Sequence, residues 1–485
     1  MKEDIEKITF KYKLTMNTFF FFLILTFLFP LSGDDWKSYL IGIDGIGACF
    51  NNIDFSKGIL GGFLINFFSY NKLLFDIVFA LTIANFVKMT NDLVGKAKTK
   101  NMFLYPFVFV LSVSVFTFSY NYMSVTNTVA YTIPIINIFT FYYILLKDEE
   151  INKRNLMELL FIGACICLSS IHIALAFFIT TIIYFIFSNR KKTNYKYFII
   201  SAVELICLVI SLTQIKSNIF YTNANFLLDN ISNYIRGVFS ENILLIIVGA
   251  IPINMYLYEK LKSENYKRVV ITLFDLILVF SLSYNFFNYS PVNLNLILSK
   301  YNGIFATENW YYIFFFATYI ALFICSTNHY INNRKLKLTF NSFFVLSIIL
   351  SILSVISPSF DKGNYIFIIF TIIMVTCVLF KYMNARVYVK ILRAAAFILV
   401  IYYGAMACIT KYIDVTRSDY IKEQIEYKES TIEVKANPLY LVWRYNPVDY
   451  FQKKDFKKFY DIDENKNIEV KYFGIFETIE KRVKE

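Results

Sequence analysis

A chain of 485 residues that is 57% hydrophobic and 19% aromatic but only 17% charged does not have the composition of a soluble enzyme. Its net charge is +12, yet it holds no soluble basic module interleaved with aromatic residues, so nucleic acid is not an expected partner. About twenty apolar residues cross a bilayer core, and about a dozen such runs are present, so the expected fold class is an all-α polytopic membrane protein.

Helices are expected near 15–31, 71–88, 102–118, 129–146, 156–170, 171–187, 197–215, 243–258, 268–285, 310–326, 340–357, 364–380 and 391–410, about 13 transmembrane spans in all. Residues 17–31 have the look of a signal segment, but Leu31-Ser32-Gly33 lacks a small-residue cleavage pattern, so the run is read as a retained first helix. Directly after it stands Gly33-Asp34-Asp35-Trp36. Two adjacent carboxylates and an indole at the edge of a membrane helix are placed to meet a lipid head group. The competing reading is that Asp34 and Asp35 only end the helix in solvent.

The loop from Ser32 to Asn71 is expected to carry two interfacial or re-entrant segments, one within 38–50 and one within 58–68. Residues 216–241 also read as interfacial, and the loop 285–309, rich in Asn and Tyr, reads as a lid over the same face. The apolar run 156–187 is too long for one helix of ordinary tilt, and Ser169-Ser170-Ile171-His172 is its polar break, which places His172 at a membrane surface.

Charge gives the orientation. Segments expected on the cytoplasmic side hold 26 Lys and Arg, whereas the opposite loops hold seven: Lys37, Lys57, Lys72, Lys216, Arg236, Lys300 and Lys362. This alternation is that of the positive-inside rule, with a cytoplasmic N-terminus and an outward-facing acidic loop. The localisation expected is the cell membrane, multi-pass. Residues 411–485 hold 15 basic and 15 acidic residues, so the surplus charge belongs to the membrane part, where it favours anionic lipid.

Four carboxylates lie within expected spans: Asp76, Glu158, Glu204 and Asp275. Such groups are costly at membrane depth unless they pair or face water. Asp76 is close enough to the first outer loop to join it, Glu158 is expected to snorkel, and Glu204 and Asp275 lie deeper. Six of the seven cysteines fall in apolar runs as packing residues, with Cys49 alone in a polar loop, and two histidines with no paired cysteine motif give no legible zinc site. No cofactor is implied, and whether a divalent metal takes part is left open. After 410 the composition turns polar, giving domains 1–410 (multi-spanning) and 411–485. The latter is expected to be a small extracytoplasmic α+β domain, with a helix at 418–429, a strand at 431–435 and an aromatic stretch at 440–443.

Taken in order, several stretches resemble a group of bacterial multi-pass proteins related to the GT-C glycosyltransferase superfamily. They are the helix followed by Gly33-Asp34-Asp35-Trp36, Asp54-Phe55-Ser56-Lys57-Gly58-Ile59-Leu60-Gly61, Asn71-Lys72-Leu73-Leu74-Phe75-Asp76, Ser357-Pro358-Ser359-Phe360, Thr431-Ile432-Glu433-Val434 to Asn446-Pro447, and Lys457-Lys458-Phe459-Tyr460. The resemblance implies outer-face transfer of a sugar from a polyprenyl-phosphate-linked donor to a cell-envelope glycan acceptor, with membrane lipid around it. Asp34 or Asp35 would be the catalytic base or orienting acid of the first outer loop, with Trp36, Lys57, Lys72, Asp76, His172 and Arg236 as substrate-binding residues. Lys57 stands where that group usually carries an arginine. Two further classes stay open: a transporter or flippase, which Glu204 and Asp275 would serve, and a non-catalytic scaffold or lipid-linked-sugar binder.

Overall fold

The computed structural model describes residues 2–31, 33–95, 103–113, 124–147, 151–188, 194–214, 230–231, 234–235, 238, 242–261, 263–289, 310–356, 365–382, 388–427, 431–436 and 454–472. A helix stands at each of the thirteen expected positions. They are α1 (Lys2–Leu28), α5 (Lys72–Val94), α6 (Leu104–Leu111), α7 (Val125–Lys147), α8 (Lys153–Cys167), α9 (Ile171–Phe187), α10 (Asn194–Thr213), α11 (Ile243–Lys260), α12 (Glu264–Tyr289), α13 (Trp310–Tyr330), α14 (Arg334–Ile356), α15 (Ile366–Tyr382) and α16 (Tyr388–Glu426). Among the described residues, seven helices are long and apolar enough to cross a membrane: those within α1, α5, α7, α10, α11, α14 and α16. This is the architecture of an all-α protein with several membrane-crossing helices.

The first loop is helical too, as α2 (Asp34–Ile43), α3 (Ile46–Asn51) and α4 (Ile59–Tyr70), with a tight turn at Phe55–Lys57 between the last two. The two interfacial segments expected there are thus both helices. The polar break in the run 156–187 is real: α8 ends at Cys167 and α9 begins at Ile171.

Phenylalanine explains the packing. From Tyr365 to Phe380 every residue is buried, so α15 is enclosed on all sides, as expected of a helix that is apolar all round. Phe370 meets Phe86 of α5 edge-on at 4.7 Å, and Phe367 stacks on Phe139 of α7 at 5.0 Å. Around this centre the peripheral helices turn apolar side chains outward, including Phe198 and Ile206 on α10, Leu276 on α12, and Phe397 and Ile398 on α16. An apolar exterior around an apolar core fits lipid as the solvent.

Two features depart from the expected layout. The helix expected to end at 410 continues to Glu426, so α16 is one helix of 39 residues. At 1.5 Å per residue it is about 58 Å long, nearly twice a bilayer core of about 30 Å. The segment 411–417 is polar but contains neither Gly nor Pro, so a change of solvent occurs without a change of conformation. The helix expected at 418–429 is the end of α16.

Past α16, β1 (Thr431–Ala436) lies where alternation places it and pairs in parallel with β2 (Asn467–Tyr472), with α17 (Lys454–Phe459) between them in sequence. The two strands carry the same tetrapeptide in the same register: Ile432 faces Ile468, Glu433 faces Glu469, Val434 faces Val470 and Lys435 faces Lys471. Two strands do not build a core alone. Ile432, Val434, Phe456 and Ile462 instead share one with Ile421 of α16 and Trp36 of α2.

Candidate functional site

The expected site residues that are described, all but Arg236, fall at one end of the helix bundle, where α1 and α8 finish and α5, α7 and α9 begin. Gly33, at φ 58°, turns the chain out of α1 into α2, and Asp34 and Asp35 occupy the first turn, where the helix dipole favours negative charge.

The two acids then part. Asp34 is exposed, whereas Asp35 is fully buried. Its carboxylate accepts hydrogen bonds from the Thr126 N–H at 2.9 Å, the Thr126 hydroxyl at 2.8 Å, the Val125 N–H at 3.1 Å and the Ser124 hydroxyl at 3.3 Å. These donors are the unsatisfied N-terminus of α7, and Ser124 caps the same turn by accepting from the Asn127 N–H at 3.4 Å. Asp35 is therefore a cap supplied from another helix. Burial pushes its carboxyl above the usual carboxylate range, while the hydrogen bonds from Thr126 and Val125 pull it back.

Trp36 faces the other way. Its indole N–H donates to the Leu31 carbonyl at 3.1 Å, and its ring packs edge-on to Phe456 at 4.9 Å with Phe459 and Tyr460 beside it. It is 5% exposed, so the indole is a packing surface for the tail. Two adjacent residues thus bind α2 to the bundle and to the tail.

Lys72 opens α5 and forms an ion pair with Asp76 one turn on, while also donating to the Thr26 carbonyl at 2.8 Å. Asp76 is fully buried, and a buried carboxylate at this depth needs such a cation. Asp35 and Lys411 of α16 lie within electrostatic reach of Lys72, so four charges from three helices meet here. Lys411 was not among the expected site residues, because it sits at the start of a charged tail that reads as neutral on average.

Lys57 donates to the Tyr131 hydroxyl at 3.1 Å and lies over that ring at 5.2 Å. Tyr131 belongs to a π turn, Thr128–Thr132, near the start of α7, a local irregularity that no apolar periodicity announces. The next residue, Gly58, has φ 78°, and a Cβ there would fall 2.0 Å from the Ser169 carbonyl oxygen. The Leu60 N–H donates to the Leu168 carbonyl at 2.9 Å across the same contact. The Lys57 turn is thereby pressed against the α8–α9 turn whose next residues lead to His172, which is half-buried in the first turn of α9. Arg236 lies outside the described residues.

A second, partly buried cluster joins the tail to α16. The Tyr460 hydroxyl lies between Asp414 and Arg417, and burial holds it up at about 12. Gln424 pairs with the backbone of β1, its amide donating to the Glu433 carbonyl at 2.9 Å and its carbonyl accepting from the Glu433 N–H at 2.7 Å. The Tyr420 hydroxyl donates to the Glu433 carboxylate at 2.9 Å. A single glutamine in the last turn of a helix gives no sequence signal for this latch.

Among the described residues no three His, Cys, Asp or Glu side chains gather in a metal-binding group. The chain matches no family model, no curated protein and no solved structure.

Proposed function

We propose that this protein spans the cell membrane about thirteen times, with its N-terminus cytoplasmic and the α2–α4 end outside. There it handles a polyprenyl-phosphate-linked sugar and transfers the sugar to an envelope glycan. The observation that carries this reading is the gathering of acids and lysines at one end of an apolar bundle. The loops expected on this side hold seven Lys and Arg in all against 26 on the other, an asymmetry that supports placing this end outside.

Within the proposal the roles divide by exposure. Asp34 is the solvent-exposed acid of the two, so it serves as the base; Asp35 holds the loop that presents it. The acceptor oxygen attacks the anomeric carbon, its proton passes to the Asp34 carboxylate, and the bond from that carbon to the phosphate oxygen breaks with its electron pair leaving on the lipid phosphate. The Lys57 ammonium, held by Tyr131, meets that growing charge. Lys72 and Asp76 position the start of α5 and the floor of the site.

The test is Asp34→Asn, expressed to normal level, with envelope glycans and lipid-linked sugars followed by mass spectrometry. Loss of one sugar from the glycan with build-up of its lipid-linked donor is expected, and an unchanged glycan profile would overturn the assignment. Donor that copurifies with a variant whose glycans are unchanged would point to a lipid-linked-sugar binder instead.

A further inference from the structure

Far from the α2–α4 end, Glu204 sits midway along α10 at 1% exposure, and among the described residues neither of its carboxyl oxygens has a hydrogen-bond partner. It points away from lipid. The opposite face of α10 carries the exposed Phe198, Leu205, Ile206 and Val209, while Glu204 meets Gly163 of α8, where a Cβ would come within 3.1 Å of its Oε1. Only the missing side chain at residue 163 makes room for the carboxyl at the helix contact.

The groups facing it are neutral or weakly acidic. Tyr142 of α7, Cys167 of α8 and Cys207 of α10 lie within electrostatic reach. The Tyr142 hydroxyl lies beside that of Thr181 of α9, and its ring meets Tyr184 of the same helix edge-on at 5.2 Å. Among the described residues no lysine or arginine hydrogen-bonds to its carboxyl oxygens.

An ionised carboxylate without a partner inside a protein at membrane depth costs several kcal/mol. The resting group is accordingly a neutral acid. As a neutral acid it caps no helix, joins no ion pair and fills a place that a leucine would pack better. What it does that a glutamine in its place does not is bind and release a proton.

We propose that Glu204 is the proton-binding residue of an exchange site at membrane depth, formed with Tyr142 and Thr181 where α7, α8, α9 and α10 meet. It is separate from the sugar-handling end and does not depend on that reading. The chemical class of its ligand is the proton, and the helices around it are those whose packing responds when Glu204 changes charge.

The experiment uses the full-length protein in its membrane, treated with a lipid-soluble carbodiimide. A protonated carboxyl adds across the reagent's C=N bond and rearranges to an N-acylurea, so the peptide gains the mass of one reagent and nothing leaves. Peptide mass spectrometry is expected to find the adduct on Glu204 and to find none in Glu204→Gln. Its yield is expected to fall about tenfold per pH unit above the titration midpoint. Infrared spectra of the purified protein are expected to show a protonated carboxyl stretch that shifts in heavy water and is missing from Glu204→Gln. No adduct at any pH would overturn the proposal. So would an adduct whose yield stays flat into alkaline pH with a stretch that does not shift, the signature of a sealed structural acid. If Glu204→Gln does not elute as a single folded species, the pH profile and the heavy-water shift of the unaltered protein decide.

Discussion

Asp35 and Trp36 are neighbours in sequence with opposite commitments. One is held by four hydrogen bonds at the start of α7, the other by the aromatic side chains of α17 and its flank. A carboxyl whose value is raised on folding adds to stability in full below its ordinary value, and that contribution is lost as pH rises through the raised value. Asp35→Asn has no such titration, but it turns an amide N–H₂ toward a ring of donors, costing about 1–3 kcal/mol. The gap in apparent unfolding temperature between the unaltered protein and Asp35→Asn is therefore expected to be positive at about pH 4 and to narrow toward about pH 7. A gap constant with pH would contradict burial as the dominant influence on this carboxyl. The pair Asp34-Asp35 stood out in the sequence because acids beside a membrane helix are conspicuous. Their division of labour did not, since the donors Ser124, Val125 and Thr126 lie some ninety positions on and were expected to precede the helix proper.

Helix positions were legible because an apolar run long enough to cross a bilayer has few alternative structures. The break at Ser169-Ser170 was legible for the same reason, as the run containing it is too long for one helix. What periodicity did not show was how a turn is pressed onto a turn. The contact between Gly58 and the Ser169 carbonyl depends on a left-handed residue and on an absent Cβ, neither of which the apolar pattern records. Gly58→Ala is expected to cost about 2–5 kcal/mol from the left-handed conformation and the overlap together. The loss would be read as a lower apparent unfolding temperature in detergent, and a variant as stable as the parent would show that the turn moves apart cheaply. In the tail, alternation marked β1, but its partner was not identified even though both strands carry Ile-Glu-Val-Lys. The choice of β1 as the strand against α16 lies in Gln424 and Tyr420, which hold Glu433 by backbone and side chain.

For the whole molecule, charge asymmetry is the basis of the proposed orientation, and it yields a direct measurement. In a background lacking the seven native cysteines, a membrane-impermeant maleimide is expected to label Asn465→Cys in intact cells and Glu6→Cys only after lysis. The reverse pattern would invert the assignment of the α2–α4 end. The tail and the bundle are linked by α16, which contains one glycine, Gly404, and no proline in its 39 residues. Within the bundle the Tyr403 hydroxyl is fastened to the Leu111 carbonyl at 2.7 Å, and beyond it Gln424 is fastened to β1. The strand pair is thus held from two sides, by α16 through Gln424 and by α2 through Trp36, so a displacement of either helix against the other would be felt first at this small core.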